Sequence, residues 1–146
     1  MRKSQVKAAV AAAFAVPAVI IAVATPAGAV ASAQLSPANC GYNHTCVGYA
    51  QDVVGVGTGT DVFVSCTAAG TASVQATIVR CYIKGNTGDI HYTNPVLTQG
   101  NASTLTHTFD AWSLQSRTYT ICVGAGYYSN SGTYFAPTNY KCGSAV

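Results

Sequence analysis

The chain contains no glutamate; its four acidic residues are Asp52, Asp61, Asp89 and Asp110. Only 8% of its 146 residues are charged, leucine occurs four times, and tryptophan and methionine once each. Each shortage excludes something. Glycoside hydrolysis needs two carboxylates flanking one bond. Asp89 and Asp110 could be drafted for that, but both lie beside turn-like sequence, where aspartate bonds its own backbone. Beyond residue 33 leucine is scarce, Val, Thr and Tyr dominate and no segment has a 3.6-residue apolar period, which removes helices from the expected fold there. No Cys-x-x-Cys pair exists, and no metal site is expected. No G-x-S-x-G or comparable nucleophile elbow is present either, and neither a catalytic residue nor a cofactor is assigned.

What is present begins with a secretory leader. Arg2, Lys3 and Lys7 precede an uncharged apolar run from Ala8 to Val23, and Pro26 opens a stretch of small residues. That order is the pattern of a signal peptide. An uncleaved membrane anchor is the rival reading, and Pro17 and the small-residue end oppose it. Two small-x-small cleavage sites fit, Ala27-Gly28-Ala29 and Ala31-Ser32-Ala33. The later is favoured, giving a leader of 1–33 and one domain of 34–146.

The formal charge of +3 comes wholly from the leader's three cations. Beyond it Arg80, Lys84, Arg117 and Lys141 balance the four aspartates. No basic stripe remains to neutralise phosphates, which excludes nucleic acid, and anionic membranes likewise once the leader is cut. The expected partner is an extracellular protein or a cell-wall glycan.

Six cysteines, all beyond the leader, read as three disulfides in an exported domain of this size. Local pairing is preferred: Cys40 with Cys46, Cys66 with Cys81, Cys122 with Cys142. The rival pairs Cys66 with Cys122 across two sheets, as immunoglobulin domains do. Against it, Cys122 falls on the Thr/Gly face of its strand and not on the apolar one.

Strand signals follow. Tyr119, Ile121, Val123, Ala125 and Tyr127 alternate with small polar residues, the period of a half-buried strand. Ser129-Asn130-Ser131-Gly132 supplies a turn, and Thr133 to Ala136 returns until Pro137. Further strands are expected over 46–57, 61–68 and 73–84, and along Leu105, His107, Phe109 and Ala111. In 73–84 the apolar phase changes, which means a β-bulge or burial on both sides. Gln34 to Thr45 reads as an irregular arm, and Gly85 to Gly100 as a long connection. The fold class is a single all-β, antiparallel, immunoglobulin-like sandwich stabilised by disulfides.

Tyrosine is the one residue type that suggests a site. Tyr127, Tyr128, Asn130 and Tyr134 gather at one turn with serine and glycine, the composition of antibody contact loops; Tyr140 and Tyr92 extend the set. Tyrosine is also simply a good strand residue. The reading is a secreted, non-catalytic binding or structural protein. Two alternatives stay open: an inhibitor of a secreted hydrolase, or a small hydrolase using His91 or His107. For His107, on the Leu105/Phe109 face, a packed imidazole is the preferred reading.

The Ala/Val leader, the Thr/Gly/Val-rich strands and the TYTICVGAGYYSNSGTY hairpin resemble small exported disulfide-stapled β-sandwich proteins of actinomycete-type bacteria. The resemblance covers most of the exported chain and implies a fold and a compartment, but no functional residue. The chain departs from true immunoglobulin domains, whose Tyr-x-Cys signature would need tyrosine at Thr120.

Overall fold

The computed structural model describes residues 32–54, 60–70, 73–86, 88–109 and 118–144. These form ten strands and, among the described residues, no helix. All pairings are antiparallel. The first sheet has the order β1-β2-β3-β7, built from β1 (Ser32–Asn39), β2 (His44–Val54), β3 (Thr60–Gly70) and β7 (Ala102–Phe109). The second, which curls as a half-barrel, has the order β10-β8-β4-β5 from β10 (Lys141–Gly143), β8 (Tyr119–Tyr128), β4 (Ala76–Gly85) and β5 (Ile90–Tyr92). To it are added β6 (Val96–Gln99) on β4 and β9 (Tyr134–Phe135) on β8.

One buried apolar cluster draws on both sheets. Val62, Val64 and Cys66 of β3 share it with Val79, Cys81 and Ile83 of β4 and Ile121 and Val123 of β8. Cys66–Cys81 is the covalent link between the sheets, Cys40–Cys46 closes the β1–β2 connection, and Cys122–Cys142 ties β10 to β8. The local pairing is thus the one found. Cys122 faces away from the core, as its place on the small-residue face of β8 requires, so it cannot reach Cys66.

Several expectations are corrected. Residues 34–45 are not an irregular arm, since half of them belong to β1, which pairs with β2 from Ser32↔Gln51 to Asn39↔Thr45, and His44 and Thr45 already open β2. Ser36 and Pro37 hide the strand by breaking its alternation, and the register shifts between Leu35 and Ala38. The long connection 85–100 likewise contains β5 and β6, both folded back on β4. Between them three steps along β4 are matched by four, from Tyr82↔Tyr92 to Val79↔Val96. Thr93 occupies this bulge, its hydroxyl accepting from Cys81 N at 3.1 Å and donating to Cys81 O at 3.0 Å.

No bulge interrupts β4 against β8, where the register runs unbroken from Ala76↔Tyr128 to Gly85↔Tyr119. Burial on both sides explains the phase change, because Ala76 and Ile78 are covered as well as Thr77 and Val79. The strand along Leu105 to Phe109 is found, but His107 is exposed and not packed inside. Its phase is the inward one, and its ring meets the edge of Phe109 at 4.6 Å. Between the expected strands 46–57 and 61–68, residues 55–59 fall outside the described residues, as does the continuation to Ala111, while Thr60 already opens β3.

Candidate functional site

The last hairpin begins as the alternation predicts. Tyr119, Ile121, Val123 and Ala125 are buried, and the turn closes with Gly132 N donating to Ser129 O at 2.8 Å, Gly132 at φ 83°. The return segment is less regular. From Tyr127↔Phe135 to Val123↔Lys141, four steps along β8 are matched by six. The extra residues around Pro137 lie over Gly124 and Gly126. A Cβ on Gly124 would stand 2.9 Å from the Tyr140 ring, and one on Gly126 2.3 Å from Phe135 O. Glycine is required at both because the chain crosses over them.

This register divides the aromatic residues between two faces, since opposed residues of an antiparallel pair share a side. Tyr127 and Phe135 form a parallel stack, 4.4 Å apart and 6° between planes, and both are half-buried. Tyr128 and Tyr134 pair on the other side at 5.1 Å, with Tyr134 51% exposed. Asn130 is exposed at the turn, beside a hydroxyl pair of Ser129 and Ser131 at 2.8 Å. The four residues singled out in sequence therefore share one end of the molecule but not one surface.

Tyr42 joins them, a residue sequence reasoning missed. It packs edge-on against Tyr127 at 5.2 Å and Phe135 at 5.9 Å, and its hydroxyl donates to Ala136 O at 3.3 Å. Tyr42 and Asn43 have φ of 51° and 57°, and His44 N donates to Gly41 O at 2.9 Å, as in a type I′ turn. Left-handed backbone is unfavourable for a bulky aromatic residue and persists only where the surroundings enforce it. Here the Cys40–Cys46 disulfide brackets the turn. Behind it His44 is buried, with Nδ1 2.9 Å from Tyr42 O and Nε2 3.4 Å from Thr77 Oγ1.

A second aromatic group lies on the outer side of the second sheet. Tyr82 contacts Tyr92 at 4.8 Å and Tyr140 at 5.1 Å, and the Arg80 guanidinium sits 4.6 Å over the Tyr92 ring. Burial raises the Tyr82 hydroxyl pKa, with repulsion from Tyr92 adding to it. Burial also raises that of Tyr140, against the opposing pull of Arg80. Sequence named Tyr140 beyond the hairpin and Tyr92 on the long connection, but did not join either to Tyr82. The signal it could have used was the alternation Arg80-Tyr82-Lys84, which puts all three on one face of β4.

His91 and His107 come together around Phe109, their rings 5.9 Å and 4.6 Å from it. Among the described residues no three His, Cys, Asp or Glu side chains gather as metal ligands. Among the described residues no helix is long and apolar enough to cross a membrane. Compared with protein-family models, curated proteins and solved structures, the chain matches none.

Proposed function

We propose that the protein is an exported, non-catalytic binding module with an immunoglobulin-like sandwich fold, contacting an extracellular partner through its aromatic end. The observation that carries this is the gathering of five rings at the molecular end that bears the serine-rich turn, Tyr42, Tyr127 and Phe135 on one face and Tyr128 with Tyr134 on the other. Tyrosine offers large, stiff, amphipathic contact area, and the Ser/Asn/Gly turn offers adaptable hydrogen bonds. The strained backbone of Tyr42 supports the same reading, because such strain concentrates where a side chain must be presented. The core shared by two antiparallel sheets supports the sandwich.

The test is capture from cell-wall and culture fractions by the oxidised protein. Beside it run a Tyr128→Ser/Tyr134→Ser variant and a Tyr42→Asn variant, asparagine tolerating left-handed backbone. A partner held by the native chain and bound at least about tenfold more weakly by both variants is the expected result. Equal recovery by all three proteins defeats the proposal.

A further inference from the structure

We propose that the outer face of the second sheet is a separate site for an anionic glycan. Its sugar ring lies on Tyr82 and Tyr92, and its carboxylate or phosphate reaches Lys84. Arg80, Tyr82 and Lys84 project from the same face of β4, at the spacing of about 6.8 Å between alternate strand residues. They stand opposite Gly124, Cys122 and Thr120 of β8, none of which carries charge. Arg80 is fixed in the platform by Nε donating to Thr93 O at 3.1 Å and by its seat over Tyr92. Lys84 is exposed and, among the described residues, forms no ion pair. Immediately beyond it opens a cavity of about 360 Å³ lined by Lys84, Gly85, Asn86, Thr118, Tyr119 and Thr120.

The chemistry of the occupant follows from three features. Tyr92 is 48% exposed, and tyrosine rings stack on the apolar faces of pyranoses while their hydroxyls bond the rims. The rings are tilted 47°, 59° and 75° to one another, which matches a short or bent chain and not a flat crystalline polymer. One free lysine beside one held arginine suits a ligand of one or two charges. A nucleic acid would need a longer cationic track.

The experiment titrates the isotopically labelled, oxidised protein with tetragalacturonate, cellotetraose 6-phosphate and neutral cellotetraose, reading amide shifts. We expect one acidic probe to shift β4 and β5, with cellotetraose at least about tenfold weaker. Lys84→Gln and Tyr92→Ala each weaken that binding about tenfold. Tyr128→Ser/Tyr134→Ser leaves it unchanged, so this site and the hairpin end fail independently. The amide spectra report whether each variant is folded; should Tyr92→Ala not be, Lys84→Gln decides alone. No shift from either acidic probe up to about 10 mM, equal binding of cellotetraose, or native affinity in Lys84→Gln overturns the proposal.

Discussion

Tyr119 shows what one buried polar group contributes. Its ring is 2% exposed and its hydroxyl donates to Asp52 Oδ1 at 3.2 Å, joining β8 to β2 across the core. Burial first, then the Asp52 charge, raises its pKa well above the ordinary 10.0. The folded state thus keeps a proton that the unfolded chain gives up from about pH 10. The stabilising effect is complete below that pH and is lost as pH rises, at up to about 1.4 kcal/mol per pH unit. We predict that Tyr119→Phe is less stable than the native protein at pH 8, through loss of a hydrogen bond to a charged group, by about 1.5–3 kcal/mol. The gap should shrink steadily above pH 10. Denaturant unfolding of both proteins across pH 8 to 11 measures this, and a constant gap would show that Tyr119 titrates alike folded and unfolded. Alternation puts this tyrosine and Tyr127, eight positions along, on the same face and does not say which of them meets an acid. Tyr119 has an acid opposite it and Tyr127 has only rings, which is a tertiary fact.

At the scale of elements, legibility followed regular alternation. β3 and β8 were readable because each keeps one apolar face along its length, and the glycines of β8 already marked its other side as special. Their purpose, to let the return segment cross, needed the structure. β1, β5 and β6 were missed because they are short or interrupted and their side chains largely exposed, so little apolar pattern records them. Pairing that depends mainly on backbone hydrogen bonds leaves almost no trace in sequence. The strand β1 also bears on the proposed export. Ser32 pairs with Gln51 and Ala33 with Ala50, and Ala33 is fully buried in the core. Cleavage after Ala33 would remove both from the ladder, whereas cleavage after Ala29 keeps them. We therefore predict that the exported chain begins at Val30, against the later site that sequence alone favours. Intact mass of the secreted protein decides between the two, and a chain starting at Gln34 would mean β1 forms without its first two pairings.

For the whole molecule, the three disulfides have separable tasks. Cys66–Cys81 joins the sheets across 15 residues of chain, for which loop-closure entropy gives a stabilisation of about 3 kcal/mol. Cys40–Cys46 holds the turn that presents Tyr42. Cys122–Cys142 holds β10, which also reaches the first sheet, where Gln34 N donates to Ser144 O at 3.1 Å. That contact covers an edge of β1 that would otherwise offer unpaired backbone to another chain. Exposure separates the three bonds. Cys142 is exposed, while Cys40, Cys46, Cys66 and Cys81 are at most 1% accessible. Thiol–disulfide exchange needs access to a sulfur, so a bond with both ends in the core waits for a larger opening of the fold. Under native conditions dithiothreitol should open Cys122–Cys142 first. Alkylation and mass mapping at early times should then find label on Cys122 and Cys142 alone. The partly reduced protein, with β10 released and the β1 edge bare, should self-associate while keeping its strand signal in circular dichroism. Simultaneous labelling of all six cysteines would instead show that β10 opens only when the whole domain does, making the C-terminal strand part of one cooperative unit with the core.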